Sequence, residues 1–450
     1  MNVSLNKKAY RTVSYLVAPF ALISIFIFIC LYRLFTKPSK HPRLVWGPIP
    51  IISNKYWSNA LRKAGFDSKT VMFSFQSNIN KQEDFDVDIE RLVNLGWGPL
   101  QRIFNHAIGP YLAFIYSVLR FDIFHQSFYG GFLGKTPLWR FEAFLLRLGR
   151  KKTINLSFGE DAFRYSQVID PLLRHGLLMS FPQHAREEQR LQRRIDYWTR
   201  FADVIVTGFI IDGMGRWDVL PFNHVIIDES LWTPKRFYSD RDGKNGVVKV
   251  IHTPNHRGCK GTEFLIQAVE ALQAEDLEVE LILAEGRQND EVRHMISKAD
   301  ILAEAFIMTA YGMSGIEGMA SGLPVLANLE HEAYTRLFRR YAYLNECPIL
   351  STTPETLKQN LRVLVTNPRL REELGKAGRE YVEKYHSEET ARYMFGAIYD
   401  KIWHGRGVDL MNLFHPLKSE YNHRKPLVQH PLVENKLPAS YFSDVPTFVS

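Results

Sequence analysis

A glycine-rich turn that opens a helix is the most informative feature of the sequence. Ile316 to Ser321 is predicted to be this helix, with Gly322 as its C-cap and the next strand starting at Pro324. The turn presents backbone N–H groups at a helix N-terminus, where a diphosphate binds readily. Glu317 lies in the first turns of the helix, within reach of a neighbouring ribose hydroxyl. These are the parts of a nucleotide-diphosphate site, although glycines that only shape a tight crossover would look the same. The residues of the turn are Tyr311, Gly312, Met313, Ser314 and Gly315.

The string around this turn resembles the donor-site signature of the group-1 (family 4) glycosyltransferases. In that family a glutamate-rich loop and helix are followed by a small residue, Gly, any residue, Pro and Val, and the segment 317–325 (EGMASGLPV) matches this second half closely. The first half departs, because Thr309 stands eight residues before Glu317, where the family usually has another glutamate. The departure concerns the catalytic role of that position and not the fold.

A basic loop follows the first predicted strand of the second half of the chain and opens a helix. Its basic side chains could pair with phosphate, an arginine through two hydrogen bonds, although a solvated basic loop is the plainer interpretation. The resemblance implies contact with the donor diphosphate, because Lys260 and Gly261 match the family's Lys-Gly. Asn255 stands where the family usually has arginine, and Arg257 could substitute for it. The donor-binding candidates outside the turn are Asn255, His256, Arg257, Lys260, Gly286 and Glu317.

Two polar residues at predicted strand tips are candidates in the first half of the chain. The segment 155–161 (NLSFGED) resembles the family's His-Gly-x-Asp element, with Phe158 in the histidine position. Asp161 could orient an acceptor hydroxyl or polarise the reacting sugar, and it could equally cap the following helix. His125 ends the third predicted strand, and a lone histidine there is more often structural. The catalytic candidates are Asp161, His125 and Lys260.

Short apolar strands alternate with helices along the body, which predicts an α/β fold with parallel sheets. The pattern restarts near residue 245, so we expect two doubly wound, Rossmann-like domains joined near Pro234, with ligands bound in the cleft between them. The resemblance implies that this is the GT-B fold, here preceded by one N-terminal transmembrane helix. The expected segments are a membrane anchor (1–40), an acceptor-side domain (41–235), a nucleotide-sugar-binding domain (236–386), a helix returning to the first domain (387–404) and an extended or partly disordered C-terminal arm (405–450).

An uncharged stretch near the N-terminus, Thr12 to Tyr32, is long enough to span a bilayer as a helix. Basic residues flank both of its ends, and no small-x-small cleavage site follows it, which favours an uncleaved, single-pass anchor over a signal peptide. We expect a cytoplasmic catalytic body, because nucleotide sugars are cytosolic and the three cysteines form no disulfide framework. The charged segment Arg186–Arg200 could also lie on a membrane, although its glutamates favour a solvated helix face.

Composition excludes several function classes. The net charge of +8 indicates weak attraction to phosphates, nucleotide sugars or anionic lipids, and no nucleic-acid recognition motif accompanies it. No Cys/His spacing is typical of a zinc site. The sequence also places no pair of carboxylates for glycoside hydrolysis.

The resemblance implies a retaining, hexosyltransferase-like enzyme of cell-surface polysaccharide biosynthesis. It would move a sugar from a nucleotide-diphosphate donor to a glycan or lipid-linked acceptor, without a metal or a cofactor. Lys260 and Arg257 would neutralise the departing diphosphate, and Glu317 would hold the ribose. The departures at Thr309, Asn255 and Phe158 leave two alternatives open. One is a catalytically degenerate, glycosyltransferase-like scaffold, and the other is a sugar-nucleotide epimerase on the same fold.

Overall fold

The computed structural model describes residues 2–73, 81–92, 99–216 and 219–442. The strands within these ranges are β1 (Leu44–Trp46), β2 (Ser68–Met72), β3 (Val87–Asp88), β4 (Ile123–Gln126), β5 (Lys152–Leu156), β6 (Val204–Val206), β7 (Val219–Leu220), β8 (Val248–His252), β9 (Val279–Leu283), β10 (Ile301–Ala303), β11 (Val325–Ala327) and β12 (Leu350–Ser351).

The helices within the same ranges follow in chain order. They are α1 (Asn2–Phe35), α2 (Ile52–Lys63), α3 (Ile89–Leu92), α4 (Pro99–Ala107), α5 (Gly109–Arg120), α6 (Glu142–Leu148), α7 (Pro171–Ser180), α8 (Pro182–Arg186), α9 (Glu188–Phe201), α10 (Arg257–Lys260), α11 (Thr262–Gln273), α12 (Asn289–Lys298), α13 (Met313–Ala320), α14 (Glu332–Tyr341), α15 (Pro354–Thr366), α16 (Pro368–Tyr385), α17 (Glu388–Ile402) and α18 (Glu420–His423).

The chain divides into two compact units. Unit 1 comprises Met1–Arg164, Glu187–Leu220 and Ala391–Leu410, and unit 2 comprises Tyr165–Arg186, Pro221–Thr390 and Met411–Ser450. Most of α17 therefore belongs to unit 1.

Unit 1 is built on a seven-stranded sheet in the order β3-β2-β1-β4-β5-β6-β7, and every pairing is parallel. Strands β1 and β6 are short apolar runs and β4 begins with one, and all three are buried, as central strands of a parallel sheet covered by helices are. Helix α9 buries Leu191, Ile195 and Trp198 at helical spacing and leaves its charged residues at the surface. Within the segment Arg186–Arg200, α9 therefore packs one face on unit 1, whereas Arg186 ends the preceding helix α8.

Unit 2 is built on a five-stranded parallel sheet in the order β12-β11-β10-β8-β9. The chain order reverses between β8 and β10, and such a reversal opens a crevice at the carboxyl ends of the two strands. Helix α11 covers the sheet with Leu265, Val269 and Leu272, whose spacing of four and three residues places them on one face.

The segment 165–186 was expected in the first domain and lies in unit 2 instead. Polar contacts hold it there. The Cys259 N–H donates to Ser180 Oγ at 3.0 Å, and the Thr309 hydroxyl donates to Asp170 Oδ2 at 3.3 Å. Alternation of strands and helices did not reveal this exchange, because the contacts join residues far apart in the sequence.

The C-terminal arm packs on unit 2 in its described part. The Asn435 side-chain amide donates to the carbonyls of Cys347 and Ile349 at 2.7 and 3.0 Å, and the Ser351 N–H donates to Asn435 O at 2.8 Å. Leu432 and Leu437 are buried in the core of the unit. The described part of the arm also contains the short helix α18 and 3₁₀ turns at Leu410–Asn412 and Ala439–Phe442.

One stretch among the described helices, Thr12–Phe35 in α1, is long and apolar enough to cross a membrane. Length and composition alone do not separate a membrane span from a signal sequence or from a buried helix.

Candidate functional site

A buried histidine joins the carboxyl ends of β8 and β10. His252 Nδ1 lies 2.7 Å from Ala303 O, and Nε2 lies 2.9 Å from Thr262 Oγ1 at the start of α11. Burial lowers the pKa of His252 to about 4, so the ring is neutral at pH 7. His252 therefore fastens the two strand ends to α11. Sequence reasoning missed it, and its signal was a histidine at the last position of a buried strand.

A buried ion pair lies directly beyond these strand ends. The Lys260 ammonium, at the end of α10, pairs with the carboxylate of Glu304, which follows β10 by one residue. The Ser314 hydroxyl donates to Glu304 Oε1 at 2.9 Å. Glu304 is only 1% exposed, and its Oε2 accepts no hydrogen bond from the described residues. Because a buried carboxylate oxygen without a partner is costly, this atom is an acceptor available inside the site.

The N-terminus of α13 completes the surroundings of this carboxylate. Gly312 is the N-cap, and a Cβ added to it would lie 3.6 Å from Glu304 Oε1. A Cβ added to Gly315 would lie 3.3 Å from Glu304 Cγ. The second distance is tight and the first is an ordinary contact, so Gly315 leaves room for the Glu304 side chain near the helix terminus, where the helix dipole favours negative charge. We call Lys260, Ser314 and this terminus at Gly312 the anion cradle, and in this structure Glu304 occupies it.

The predicted turn 311–315 is largely the first turn of α13, which begins three residues earlier than expected. Met313 and Ser314 are half-buried residues of this first turn, and Ser314 belongs to the anion cradle. The Tyr311 side chain lies in the core, where its hydroxyl contacts Tyr381 Oη at 2.7 Å and His386 Nε2 at 3.1 Å. Burial raises the pKa of Tyr311 well above its usual value. The Tyr311 side chain therefore packs in the core of unit 2.

Glu317 is buried in the second turn of α13. The Asn289 amide, at the start of α12, donates to Glu317 Oε1 at 3.2 Å. Burial raises the pKa of Glu317 to about 8, against an opposing effect of that hydrogen bond. The carboxyl is consequently protonated for the most part at pH 7, and it can both donate and accept hydrogen bonds. Asn289 was not foreseen, since it is separated from Glu317 by 28 residues.

The basic loop lies at the surface. Arg257 forms two hydrogen bonds to the Glu285 carboxylate, at 2.8 and 2.9 Å, and one to Glu263 at 2.7 Å. These pairs raise the pKa of the exposed guanidinium. To bind the phosphate of a donor, Arg257 would have to release one of these carboxylates.

The remaining donor-site candidates differ in their surroundings. Asn255 is exposed. The ring of His256 lies 4.2 Å from the ring of Phe181. Gly286 has a left-handed backbone, with φ of +63°, and open space where a Cβ would stand. Thr309, at the position of the family's glutamate, is buried and hydrogen-bonded to Asp170.

Both candidates in unit 1 are buried and make several hydrogen bonds. Asp161 accepts hydrogen bonds from the N–H groups of Phe128, Phe158 and Gly159 at 3.0 to 3.1 Å, which ties two loops together. Burial raises its pKa to about 7.

His125 stacks on Trp46 with ring centroids 3.6 Å apart. Its Nδ1 lies 3.0 Å from Val45 O, and its Nε2 lies 2.8 Å from Tyr399 Oη. Burial lowers the pKa of His125 to about 3. For both residues the contacts account for a structural role, and catalysis stays a prediction. The described residues contain no cluster of three or more His, Cys, Asp or Glu side chains that could hold a metal.

The buried ion pair makes a stability prediction. Lys260→Ala leaves the Glu304 carboxylate buried without a counter-charge, so we expect the free energy of unfolding to fall by about 3 kcal/mol. The double variant Lys260→Met with Glu304→Gln should recover most of this loss. Urea unfolding measures both, with the exposed Lys298→Ala as control. Equal, small losses for Lys260→Ala and the control would contradict the structure.

The raised pKa of Glu317 predicts a dependence of stability on pH. Because the unfolded value is 4.5 and the folded value about 8, the stabilisation is fully present below pH 4.5 and is lost as the pH rises towards 8. Glu317→Gln keeps a neutral side chain of similar shape, so we expect its free energy of unfolding to be close to that of the wild type at pH 4.5 and to exceed it by about 4 kcal/mol at pH 8. Unfolding measured at both pH values tests this, and parallel pH profiles would refute it.

Comparison with solved structures confirms the predicted α/β fold with two parallel sheets. The chain is similar to sucrose-phosphate synthase from Thermosynechococcus elongatus, with a TM-score of 0.51 and 14% identity over 82% of this chain and 100% of that chain. WaaG, a glycosyltransferase involved in lipopolysaccharide biosynthesis, gives a TM-score of 0.45 at 12% identity over 78% of this chain and 98% of that chain. The S. aureus MnaA–UDP structure gives a TM-score of 0.45 at 14% identity over 80% of this chain and 97% of that chain. No protein-family model and no curated protein matches the chain. At 14% identity the likeness to the synthase shows the fold alone, and the reaction has to be inferred from the site.

Proposed function

We propose that the protein is a glycosyltransferase that moves a sugar from a nucleoside-diphosphate donor to a glycan or lipid-linked acceptor. The observation that carries the proposal is the anion cradle at the reversal of strand order in unit 2, with a buried, neutral Glu317 on the same helix. A lysine ammonium, a serine hydroxyl and a helix N-terminus together suit a diphosphate. The fold shared with a sugar-transferring synthase supports the same conclusion.

Donor binding starts with an exchange at Lys260. In the structure its ammonium is neutralised by Glu304, so the diphosphate takes over the lysine and the terminus of α13. Glu304 then offers both carboxylate oxygens to hydroxyl groups of the sugar, since one of them already accepts no hydrogen bond from the described residues. During transfer Lys260 stabilises the charge that builds up on the leaving diphosphate. Arg257 adds a second cation once it releases Glu285.

Glu317 recognises the ribose. Its neutral carboxyl, oriented by Asn289, can accept from one ribose hydroxyl and donate to the other. On the strength of the family resemblance, we propose a metal-independent, retaining reaction in cell-surface polysaccharide synthesis.

We also propose that the protein acts at a membrane, to which Thr12–Phe35 attaches it, with the catalytic body on the cytoplasmic side. The length and apolar character of this stretch support the attachment.

A donor panel tests the proposed reaction. The full-length protein is incubated with UDP-, GDP- and ADP-sugars and a lipid extract as acceptor, and the released nucleoside diphosphate is quantified. We expect turnover with one donor class, and a loss of about tenfold or more in kcat/KM for Glu317→Ala, because the ribose contact is removed. Glu270→Ala, an exposed position on α11, is the matched control.

The other outcomes of the panel separate the alternatives. Nucleotide binding without turnover would identify a scaffold. Conversion of the sugar nucleotide without an acceptor would identify an epimerase. If a folded protein shows no nucleotide binding and no turnover, the proposed function is refuted.

A further inference from the structure

One face of α1 lies along unit 1 for most of its length. The buried positions recur every three to four residues, or at multiples of that spacing, which is the period of one helix face. They cover about 27 Å of the helix axis, at 1.5 Å per residue. The residues of this face are Ser14, Ala18, Ile25, Ile29 and Tyr32, the last through a 3.0 Å hydrogen bond to Lys151 Nζ. The helix is therefore an integral part of unit 1.

The opposite face of α1 is apolar and exposed. Its side chains follow the same helical period, and each is at least 50% exposed. They are Leu16, Phe20, Ile23, Ile27, Leu31 and Leu34. An apolar stripe of this length exceeds what soluble proteins usually leave in water, and it marks a surface for lipid or for a protein partner.

Aromatic and basic side chains on elements that pack against α1 favour lipid. Helix α6 packs against α1 and exposes Phe144, and Phe141, directly before α6, is exposed as well. Arg147 and Arg150 are exposed at the same helix and just beyond it, and Arg150 Nη1 donates to Thr36 O at the end of α1. Apolar side chains bordered by cations are complementary to the acyl chains and headgroups of an anionic bilayer.

Polar groups on the elements beneath α1 oppose a membrane-spanning orientation. In α4, which packs against α1, the Gln101 amide donates to Asn105 Oδ1 at 2.6 Å. Lys151, which donates to the Tyr32 hydroxyl of α1, pairs with Asp122 at 3.0 Å. If α1 crossed the bilayer while packed on unit 1, these groups would enter the hydrocarbon core or its boundary, which is costly.

We propose that α1 lies in the plane of the membrane, with one face on unit 1 and the other in an anionic lipid leaflet. Both ends of α1 then stay on the same side of the bilayer as the body. The inference rests on the membrane attachment proposed above and replaces the single-pass arrangement expected from the sequence. Phe144 of α6 becomes part of the same lipid-binding surface.

Cysteine labelling of the full chain tests the orientation. Asn6→Cys and Lys40→Cys place a thiol before and after the apolar stretch, and inverted bacterial membrane vesicles expose the cytoplasmic side to an impermeant maleimide. We expect both variants to react without detergent, above the background of the wild type. Labelling of Asn6→Cys only after detergent would show a spanning helix and overturn the inference. Absence of the protein from the vesicles would refute the attachment itself, and neither result bears on donor turnover.

A substitution outside α1 gives an independent readout. Phe144→Glu should raise several-fold the fraction of protein released from phosphatidylglycerol-containing vesicles by a salt wash, because a charge replaces an inserted ring. Phe264→Glu, at an exposed phenylalanine in unit 2, is the matched control. Equal retention of both variants would contradict a lipid contact at α6.

Discussion

The buried Lys260–Glu304 ion pair is the interaction on which the site depends. A lysine ammonium buried beyond the ends of two parallel strands has to be neutralised, and Glu304, directly after β10, does this. The Glu304 side chain can reach that position because Gly315 has no Cβ, which would lie 3.3 Å from Glu304 Cγ. The protein thus keeps an anion in its anion cradle, and a diphosphate is the chemically natural replacement for it.

Part of this site could be predicted from the sequence, and the rest depends on contacts between distant residues. The segment 317–325 indicated a helix followed by a strand and a functional Glu317, and α13 and β11 are found there. Glu304, His252 and Asn289 were missed because their roles follow from burial and from partners 28 to 51 residues away. Neutralisation of a buried charge depends on residues that are far apart in the sequence, so no local sequence pattern predicts it.

Hydropathy and packing give complementary information about the N-terminal helix. The sequence predicted an uncharged helix at Thr12–Tyr32 correctly, since length and composition are local properties. It could not show that Ile25 and Ile29 face unit 1 while Phe20 and Ile27 face outwards, because apolar residues occur on both faces. The assignment of 165–186 to the first domain was wrong for a related reason, as the hydrogen bonds that hold this segment join it to residues about 80 to 140 positions later.

A calorimetric titration of the full-length protein with UDP, GDP and ADP tests the central claim most directly. The account predicts that one of the three nucleotides binds, and that Glu317→Ala weakens this binding by about tenfold or more, equivalent to about 1.4 kcal/mol. Such a result would establish the nucleotide site at α13 and identify the base of the donor. Absence of binding for all three nucleotides, in a protein whose unfolding transition shows it to be folded, would contradict the account.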